Sequence, residues 1–502
     1  MTSGPEASTS RVLDASPADS AAWPVIAGAL VVAAVWLNPF SPGPSVGAVS
    51  CLTGAAGLGV LGLWIRRSQV TAIAWVGWLL AALSSAVIGL LQYSGTAGPL
   101  APWISAVSGT GEAFGNLRQP NQFATLTSIG LLALVFGAGP NVPRRGRWLA
   151  VAAAVLLACG AAASGSRTGL VQWLLIPVFW WIWRDKRSPG NWLDGLVLAA
   201  LVAYVVAAVA LPWMSGSSRG PMVRLLEGAP DCSSRLVLWA NALHLMSLKP
   251  WLGWGWGELD YAHFVTLYPG ERFCAILDNA HNLPLHLAVE LGVPFALLAC
   301  GATAVWVWRA APWRATDPAR QMAWTVLAVI LVHSLVEYPL WYGPFQMAVV
   351  LSLAILLWRD RPRVASVLAR SARTLAVLWL AVTAWVAWDY WCASQIYLPP
   401  QERMTNWRID TLAKARRVTL FRDQVDFADL TLSALTHENA PQVHDKAQRT
   451  LHFSPEARVV EKLIESAVML QRDDEALHWL IRYRAAFPAE HADWAASHAP
   501  RR

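Results

Sequence analysis

Long apolar runs separated by short polar stretches fill the first 390 or so residues of the chain. A helix needs about 20 apolar residues to cross the hydrocarbon core of a bilayer, and eleven runs come close to that length or exceed it. They lie near residues 22–40, 46–64, 70–92, 122–139, 148–163, 169–183, 193–213, 284–309, 321–340, 343–358 and 373–388. The pattern predicts an all-α polytopic membrane protein with about 11 transmembrane helices.

Basic residues follow every second run and are scarce after the others. They lie at residues 66–67, 144–147, 184–187, 309–320 and 359–363. Short loops rich in Lys and Arg stay in the cytoplasm, so the alternation predicts a cytoplasmic N-terminus. Residues 93–121, the turn 164–169 and a large loop of about 215–283 then face the periplasm, as does everything after the last run.

The ends of the chain differ from its middle. Residues 1–21 are rich in Ser, Ala and Asp and lack the basic start of a signal peptide, so we expect a disordered cytoplasmic tail. Residues 22–388 form the predicted transmembrane domain. In residues 389–502, charged and apolar residues alternate at helical spacing, which predicts a small helical periplasmic domain. Within it, residues 454–488 resemble one tetratricopeptide-like hairpin.

Charge and composition narrow the class of partner. The chain is 55% hydrophobic and 14% charged, with a formal net charge of +7. From Gln401 onward, basic and acidic residues are equal in number. The positive excess therefore belongs to the membrane loops, and the sequence indicates no nucleic-acid partner.

Two cysteines share the large outward loop. Cys232 and Cys274 are 42 residues apart in a compartment that favours disulfides. We expect them to form a bond that braces the loop. Cys392 competes for either partner, and sequence alone leaves the pairing open.

Three arginines lie on the side of the membrane where such residues are usually scarce. Arg118, Arg167 and Arg235 are each placed near or beyond the outer face. A guanidinium group matches phosphate oxygens with two hydrogen bonds and keeps its charge. These residues are candidates for binding a diphosphate, and the alternative for each is an ordinary contact with lipid phosphates.

A segment of alternating Gly and Trp occupies residues 250–257 of the large loop. Trp254 and Trp256 offer flat rings on a permissive backbone, and such rings can stack on the faces of sugars. The alternative is a belt of interfacial tryptophans, since the chain contains 30 Trp residues.

The candidate base is His281, where the polar loop meets an apolar run that we expect to form one unbroken helix from Leu283 to Trp308. Imidazole accepts a proton near neutral pH, and Asp278 is close enough in sequence to orient it. Asn282 also flanks this position. The alternative is a structural histidine.

Two further pairs show helical i,i+4 spacing inside apolar runs: His286 with Glu290, and His333 with Glu337. Ionisable groups within a membrane are functional candidates. The two pairs could hold a metal, but His–Glu hydrogen bonds satisfy the groups without one.

Five motifs together resemble a known family. They are Gly115-Asn-Leu-Arg-Gln-Pro-Asn-Gln122, Ser166-Arg-Thr-Gly169, Pro250-Trp-Leu-Gly-Trp-Gly-Trp-Gly257, Asp278-Asn-Ala-His-Asn-Leu-Pro-Leu-His286 and Glu337-Tyr-Pro-Leu-Trp-Tyr342. The set resembles the bacterial O-linked protein oligosaccharyltransferases, or pilin glycosylation ligases, of the O-antigen ligase and polymerase superfamily. The resemblance implies a fold like that of C-type glycosyltransferases and a location in the bacterial inner membrane.

The resemblance also implies an activity: transfer of a whole glycan from undecaprenyl diphosphate to Ser or Thr of a periplasmic, pilin-like protein, without a metal or other cofactor. His281 then matches an essential histidine, and Arg167 and Arg235 match residues that hold the diphosphate, with Arg118 as a further candidate. The supporting or substrate-binding positions are Gln119, Asn121, Asp278, Asn282, Glu337, Tyr342, Trp254 and Trp256.

Two other functions stay open. A ligase or polymerase with a sugar acceptor would use the same residues. A transporter of lipid-linked sugar would place its charges near the bilayer midplane, whereas here they are predicted near the outer face.

Overall fold

The computed structural model describes residues 19–41, 43–64, 67–107, 109–138, 142–184, 192–215, 231–357 and 365–498. Most of the predicted N-terminal tail lies outside these residues. So do Arg66 of the predicted basic loop at 66–67, residues 185–187 of the one at 184–187, and the whole of the one at 359–363. Every regular element in the described part is helical.

Apolar helices make up the body of the protein. They are α1 (Asp19–Leu37), α2 (Val46–Trp64), α3 (Arg67–Tyr93), α4 (Pro120–Gly137), α5 (Arg144–Ala163), α6 (Arg167–Arg184) and α7 (Trp192–Ser215). After the large loop come α10 (Leu283–Leu291), α11 (Val293–Ala310), α12 (Pro318–Ser334), α13 (Gly343–Leu357) and α14 (Ala365–Ser394). Six helices in the described part are long and apolar enough to cross a bilayer. The protein is a multi-pass membrane protein, and eleven spans stays a prediction.

Small residues let these helices approach closely. A Cβ atom added to Gly54 of α2 would lie 2.6 Å from the Cα atom of Gly343 at the start of α13. Larger side chains fill the space beside these contacts, as Trp36 does against Phe345 with ring centroids 4.9 Å apart. Close backbone approach through small residues is the usual way in which membrane helices associate.

The expected unbroken helix from Leu283 to Trp308 is wrong. It is interrupted at Gly292, whose φ of +89° ends α10 before α11 begins. The Gly-Trp segment binds the exposed backbone there: the N–H of Gly255 donates to the carbonyl of Glu290 at 2.9 Å, and the N–H of Val293 donates to that of Pro250 at 2.8 Å. The segment therefore replaces helical hydrogen bonds that α10 loses at its end.

The described part of the large loop, residues 231–283, is folded. It contains α8 (Arg235–Leu248) and α9 (Leu259–Val265), which share a small apolar core that includes Leu238, Leu259 and Leu277. Cys232 and Cys274 form a disulfide, so that prediction is confirmed. Cys392, the competing partner, is free and buried.

Short helices form the C-terminal part: α15 (Thr411–Ala415), α16 (Arg422–Leu432), α17 (Ala440–Thr450), α18 (Ala457–Met469), α19 (Asp473–Ala486) and α20 (Pro488–His498). Asp389 near the end of α14 joins them to the bundle. Its carboxylate accepts the backbone N–H groups of Thr419 at 3.2 Å and Leu420 at 2.7 Å. The domain boundary at residue 389 stays a prediction.

The C-terminal helices pack on the large loop. His452 lies 2.7 Å from the carboxylate of Glu258 and stacks on Tyr261 with ring centroids 3.9 Å apart. Arg482 donates to the carbonyl of Val265 at 2.9 Å. The loop and the C-terminal helices therefore lie on the same side of the bilayer.

Candidate functional site

Glu337, three residues beyond the end of α12, is the centre of a polar cluster. One carboxylate oxygen lies 2.6 Å from Nδ1 of His281, and the other accepts hydrogen bonds from Arg235 at 2.5 Å and from Asn121 at 3.3 Å. The side chain of Glu337 is only 9% exposed. The buried carboxylate is thus flanked by His281 and Arg235, two groups that can carry positive charge, and this favours its ionised form.

His281 is held by its own loop as well as by Glu337. Its φ is +49°, an uncommon conformation for a residue other than glycine, and its N–H donates to the side-chain oxygen of Asn279 at 2.9 Å. The ring packs edge-on against Tyr338, with centroids 4.8 Å apart. A carboxylate bonded to Nδ1 fixes the proton on that nitrogen and leaves Nε2 as the basic one.

Asn282 positions the start of α10. Its side-chain oxygen accepts the N–H of Leu285 at 3.0 Å, the usual N-cap bond, and its amide donates to the carbonyl of Leu335 at 3.0 Å. This one side chain thus ties the His281 loop to the segment that carries Glu337.

The Ser-Gly-Ser-Arg turn reaches the same cluster through Asn121. The hydroxyl of Ser166 donates to the side-chain oxygen of Asn121 at 2.6 Å and accepts the N–H of Gly169 at 2.9 Å, which caps α6. Arg167 is the first residue of α6 and its side chain is exposed. The turn is therefore tied to the cluster through Asn121, and the residue that follows it, Arg167, is exposed.

Gln119 and Arg118 have local structural partners. The side chain of Gln119 caps α4 by accepting the N–H of Gln122 at 2.8 Å. Arg118 donates to the carbonyl of Pro39 at 2.5 Å, in a groove that Tyr342 also lines. The structure does not bring Arg118 to Glu337, where Arg235 binds.

Tyr342 separates that groove from the histidine. Its ring stacks on Tyr338 with centroids 5.9 Å apart, and Tyr338 in turn contacts His281. Burial raises the pKa of Tyr342, while the neighbouring side chains of Tyr338 and Gln122 act in the opposite direction. The pair of tyrosines therefore forms a wall of the site.

The two candidate tryptophans differ. Trp254 is partly buried against the loop core, donates to the carbonyl of Leu245 at 3.0 Å and lies under the ammonium group of Lys249. Trp256 is 62% exposed and stacks nearly parallel on Trp341, with centroids 6.1 Å apart. Of the two, Trp256 is the one available to a ligand.

Two expectations about neighbouring groups are corrected. Asp278 lies near His281, but the hydrogen bond that orients Nδ1 of His281 comes from Glu337. The side chain of His333 does not pair with that of Glu337, because His281 and Arg235 bind the carboxylate, although the backbone N–H of Glu337 still donates to the carbonyl of His333 at 2.9 Å. The Nδ1 atom of His333 instead lies 3.0 Å from the hydroxyl of Thr125.

The other i,i+4 pair lies close together, but the expected hydrogen bond does not satisfy it, because Oε2 of Glu290 and Nδ1 of His286 have no hydrogen-bond partner in the part of the chain that the structure describes. His286 and Glu290 are buried, with Nε2 3.4 Å from a carboxylate oxygen. Within the described residues, no group of three or more His, Cys, Asp or Glu side chains is placed to share a metal ion.

Ser166, Asn279 and Tyr338 contact the site residues but were not among the predicted ones. Ser166 precedes Arg167 in a recognisable capping turn, which is a signal that could have identified it. The other two are marked only by adjacency to His281 and Glu337.

Comparison with known families agrees with the motifs. A model described as O-antigen ligase matches residues 152–300, and one described as protein glycosylation ligase matches residues 113–136. A third, described as the C-terminal part of a virulence factor membrane-bound polymerase, matches residues 321–502. These matches confirm the resemblance noted from the sequence.

Two curated relatives come from Acinetobacter baylyi. A general O-oligosaccharyltransferase is 25% identical over 244 residues, which cover 47% of this chain and 42% of that protein. A ComP-specific O-oligosaccharyltransferase is 26% identical over 190 residues, which cover 38% of this chain and 34% of that protein. The chain thus matches less than half the length of either relative.

Proposed function

We propose that this chain, a relative of the O-antigen ligases and protein glycosylation ligases, is a glycosyltransferase that moves a whole glycan from undecaprenyl diphosphate to a Ser or Thr hydroxyl of a periplasmic protein such as a pilin. The observation that carries the proposal is the cluster in which Glu337 holds both His281 and Arg235. It combines a base with a fixed positive charge, which is what this displacement requires.

The acceptor hydroxyl is a poor nucleophile until it loses its proton. His281 is the base: Nε2 accepts the proton while the hydroxyl oxygen forms a bond to C1 of the donor sugar. Glu337 stabilises the imidazolium that results, since its carboxylate is bound to Nδ1. Direct displacement inverts the configuration at C1.

The bond between C1 and the diphosphate oxygen breaks as the new bond forms, and the diphosphate leaves with the electron pair. Negative charge grows on the leaving group, so fixed guanidinium groups lower the barrier. Arg167 and Arg235 serve this role. Arg167 is exposed and makes no ion pair within the described residues, while Arg235 pairs with Glu337. No metal takes part in this scheme.

The site lies on the periplasmic face of the inner membrane in this proposal. The alternating basic loops support this orientation. The packing of the C-terminal helices on the large loop supports it too, because both segments are then periplasmic. Alkaline phosphatase fused after residue 400 should be active and fused after residue 187 inactive; the opposite pattern would overturn the orientation.

A sugar acceptor is the second candidate, which the matches to O-antigen ligase and polymerase models favour. The chemistry of the displacement is the same. Co-expression with a lipid-linked glycan, a candidate pilin and a lipid-linked sugar acceptor separates the two. Glycan found by mass spectrometry on the pilin supports the proposal, and glycan found only on the sugar acceptor contradicts it.

A further inference from the structure

Helix α8 of the large loop is apolar on both of its sides. One side packs into the loop core through Leu238, Ala242 and Leu245. The opposite side is exposed, and a stripe along it consists of Leu236, Ala240, Leu243 and Ser247. Exposed apolar residues continue from the end of the helix into the Gly-Trp segment with Leu248, Trp251 and Leu252. We call this continuous surface the α8 stripe.

Helix α17 shows how a water-facing helix of this protein differs. It also buries one side, through Val443 and Ala447, but its exposed side carries Gln442, Asp445 and Arg449. The α8 stripe has no charged residue, and the hydroxyl of Ser247 donates to the carbonyl of His244 at 2.7 Å. A helix that is apolar all round is normally covered all round, and a contiguous exposed apolar patch marks a contact with protein or membrane.

Both ends of α8 are held at the ends of apolar helices of the bundle. At its start, Arg235 binds Glu337 at 2.5 Å, three residues beyond the end of α12. Just after its end, the carbonyl of Pro250 accepts the N–H of Val293 at 2.8 Å, and Val293 is the first residue of α11. Helix α11 is one of those long and apolar enough to cross a bilayer.

These two held points lie at similar depth. Helices α11 and α12 meet where Trp306 packs on Trp324, with ring centroids 4.7 Å apart. At about 1.5 Å per residue, α11 rises about 20 Å from that contact to Val293, and α12 rises about 15 Å from it to Ser334. Helix α8 has 14 residues and is about 21 Å long, several times the difference in height. It therefore runs closer to the plane of the membrane than to the membrane normal.

We infer that α8 lies in the interface of the bilayer, on the side of the large loop, with the α8 stripe turned towards the acyl chains of that leaflet. Trp251 then lies at the level of the headgroups, where tryptophan is common because its ring is apolar and its N–H is polar. Phospholipid covers a surface that the described part of the chain leaves open. Arg235 is the first residue of α8, so on the basis of the proposed function this contact also sets the depth at which the diphosphate is bound.

Hydroxyl-radical footprinting tests the inference with the wild-type protein in nanodiscs that hold one copy each. Radicals made in water oxidise the leucine side chains that water reaches, and peptide mass spectrometry gives the rate at each residue. The C-terminal helices supply leucines of similar exposure as controls. Leu432, 70% exposed, is matched to Leu252 at 86%, and Leu477, 56% exposed, is matched to Leu248 at 51%.

Leu248 and Leu252 should be oxidised at least about fivefold more slowly than their controls, because the apolar side of an interfacial helix is buried about 5–10 Å into the bilayer. Equal rates would overturn the inference, since the α8 stripe would then face water. Rates that become slow only when a pilin-like protein is added would overturn it as well, because the stripe would then be a surface for a protein partner. Slow oxidation by a protein that transfers no glycan would refute the proposed function and leave the lipid contact standing.

Discussion

The Nδ1 atom of His281 lies 2.6 Å from a carboxylate oxygen of Glu337, although 56 residues separate the two in sequence. The same carboxylate binds Arg235. One buried acid therefore fixes both the base and a cation that the proposed displacement uses, and the predictions below depend on that arrangement.

Replacing Glu337 by Gln keeps the size of the side chain and removes its charge. His281 then loses the group that stabilises its protonated form, and Arg235 loses its anchor. Residues that orient a functional histidine typically contribute about 10- to 100-fold, so we expect transfer to fall by that factor, measured as turnover per folded molecule. Glu258→Gln is the matched control, because Glu258 pairs with His452 in a separate contact. Equal losses in the two variants would contradict the role of Glu337.

Arg167→Lys tests the leaving-group contact. Lysine keeps the charge but lacks the fork that binds two phosphate oxygens. We expect about a tenfold lower rate, which corresponds to about 1.4 kcal/mol in the barrier. Arg416→Lys, in the C-terminal helices, should have no effect on transfer. Full activity of Arg167→Lys would place the diphosphate elsewhere.

Gly253→Ala tests the backbone contact between the Gly-Trp segment (residues 250–257) and the end of α10, which we call the clamp. Gly253 has a φ of +70°, and a Cβ atom there would lie 2.3 Å from the Glu290 carbonyl oxygen. Gly257→Ala is a close control, since its φ is +79° but nothing lies within 4 Å of its Cβ position. Gly253→Ala should lower the amount of folded protein in the membrane severalfold more than Gly257→Ala does. Similar amounts of both would show that the clamp is unimportant.

Asp260 predicts a dependence of stability on pH. Burial raises the pKa of Asp260 to about 7, from about 4 in an unfolded chain. The folded state therefore favours the protonated acid, so this contribution is complete below about pH 4 and is lost as pH rises to about 7. Asp260→Asn cannot ionise. Its thermal midpoint relative to wild type should be higher at pH 8 than at pH 5, and an equal difference at the two pH values would contradict this.

The apolar helices could be predicted from the sequence, because a membrane helix corresponds to one continuous run of apolar residues. The break at Gly292 could not, because it depends on backbone hydrogen bonds from residues 250–255, nearly forty positions away. The disulfide between Cys232 and Cys274 could be predicted from the sequence, because only these two cysteines lie in the large loop.

In the candidate site, too, features marked by local sequence could be predicted and contacts between distant residues could not. His281 stood out as an ionisable group at a membrane boundary, but its partner was assigned to the nearby Asp278 when the fold supplies Glu337. The i,i+4 spacing of His333 and Glu337 suggests a pair, but His281 and Arg235, which are distant in sequence, bind the carboxylate of Glu337 instead. The alternating Gly-Trp pattern gives no reason to prefer Trp254 or Trp256 as a ligand contact. In the structure Trp254 is partly buried and Trp256 is exposed.

Removal of the proposed base tests the central claim most directly. His281→Asn suits the left-handed backbone of this position and, like His281→Ala, has no basic nitrogen. The measurement is the single-turnover rate of glycan transfer with purified protein and saturating lipid-linked donor, with His286→Ala as the neighbouring control. Loss of a positioned base costs about 10²–10⁴-fold, and we expect that loss in both His281 variants while the folded His286 variant keeps its rate per molecule. Transfer by either folded His281 variant at near the wild-type rate would contradict the assignment.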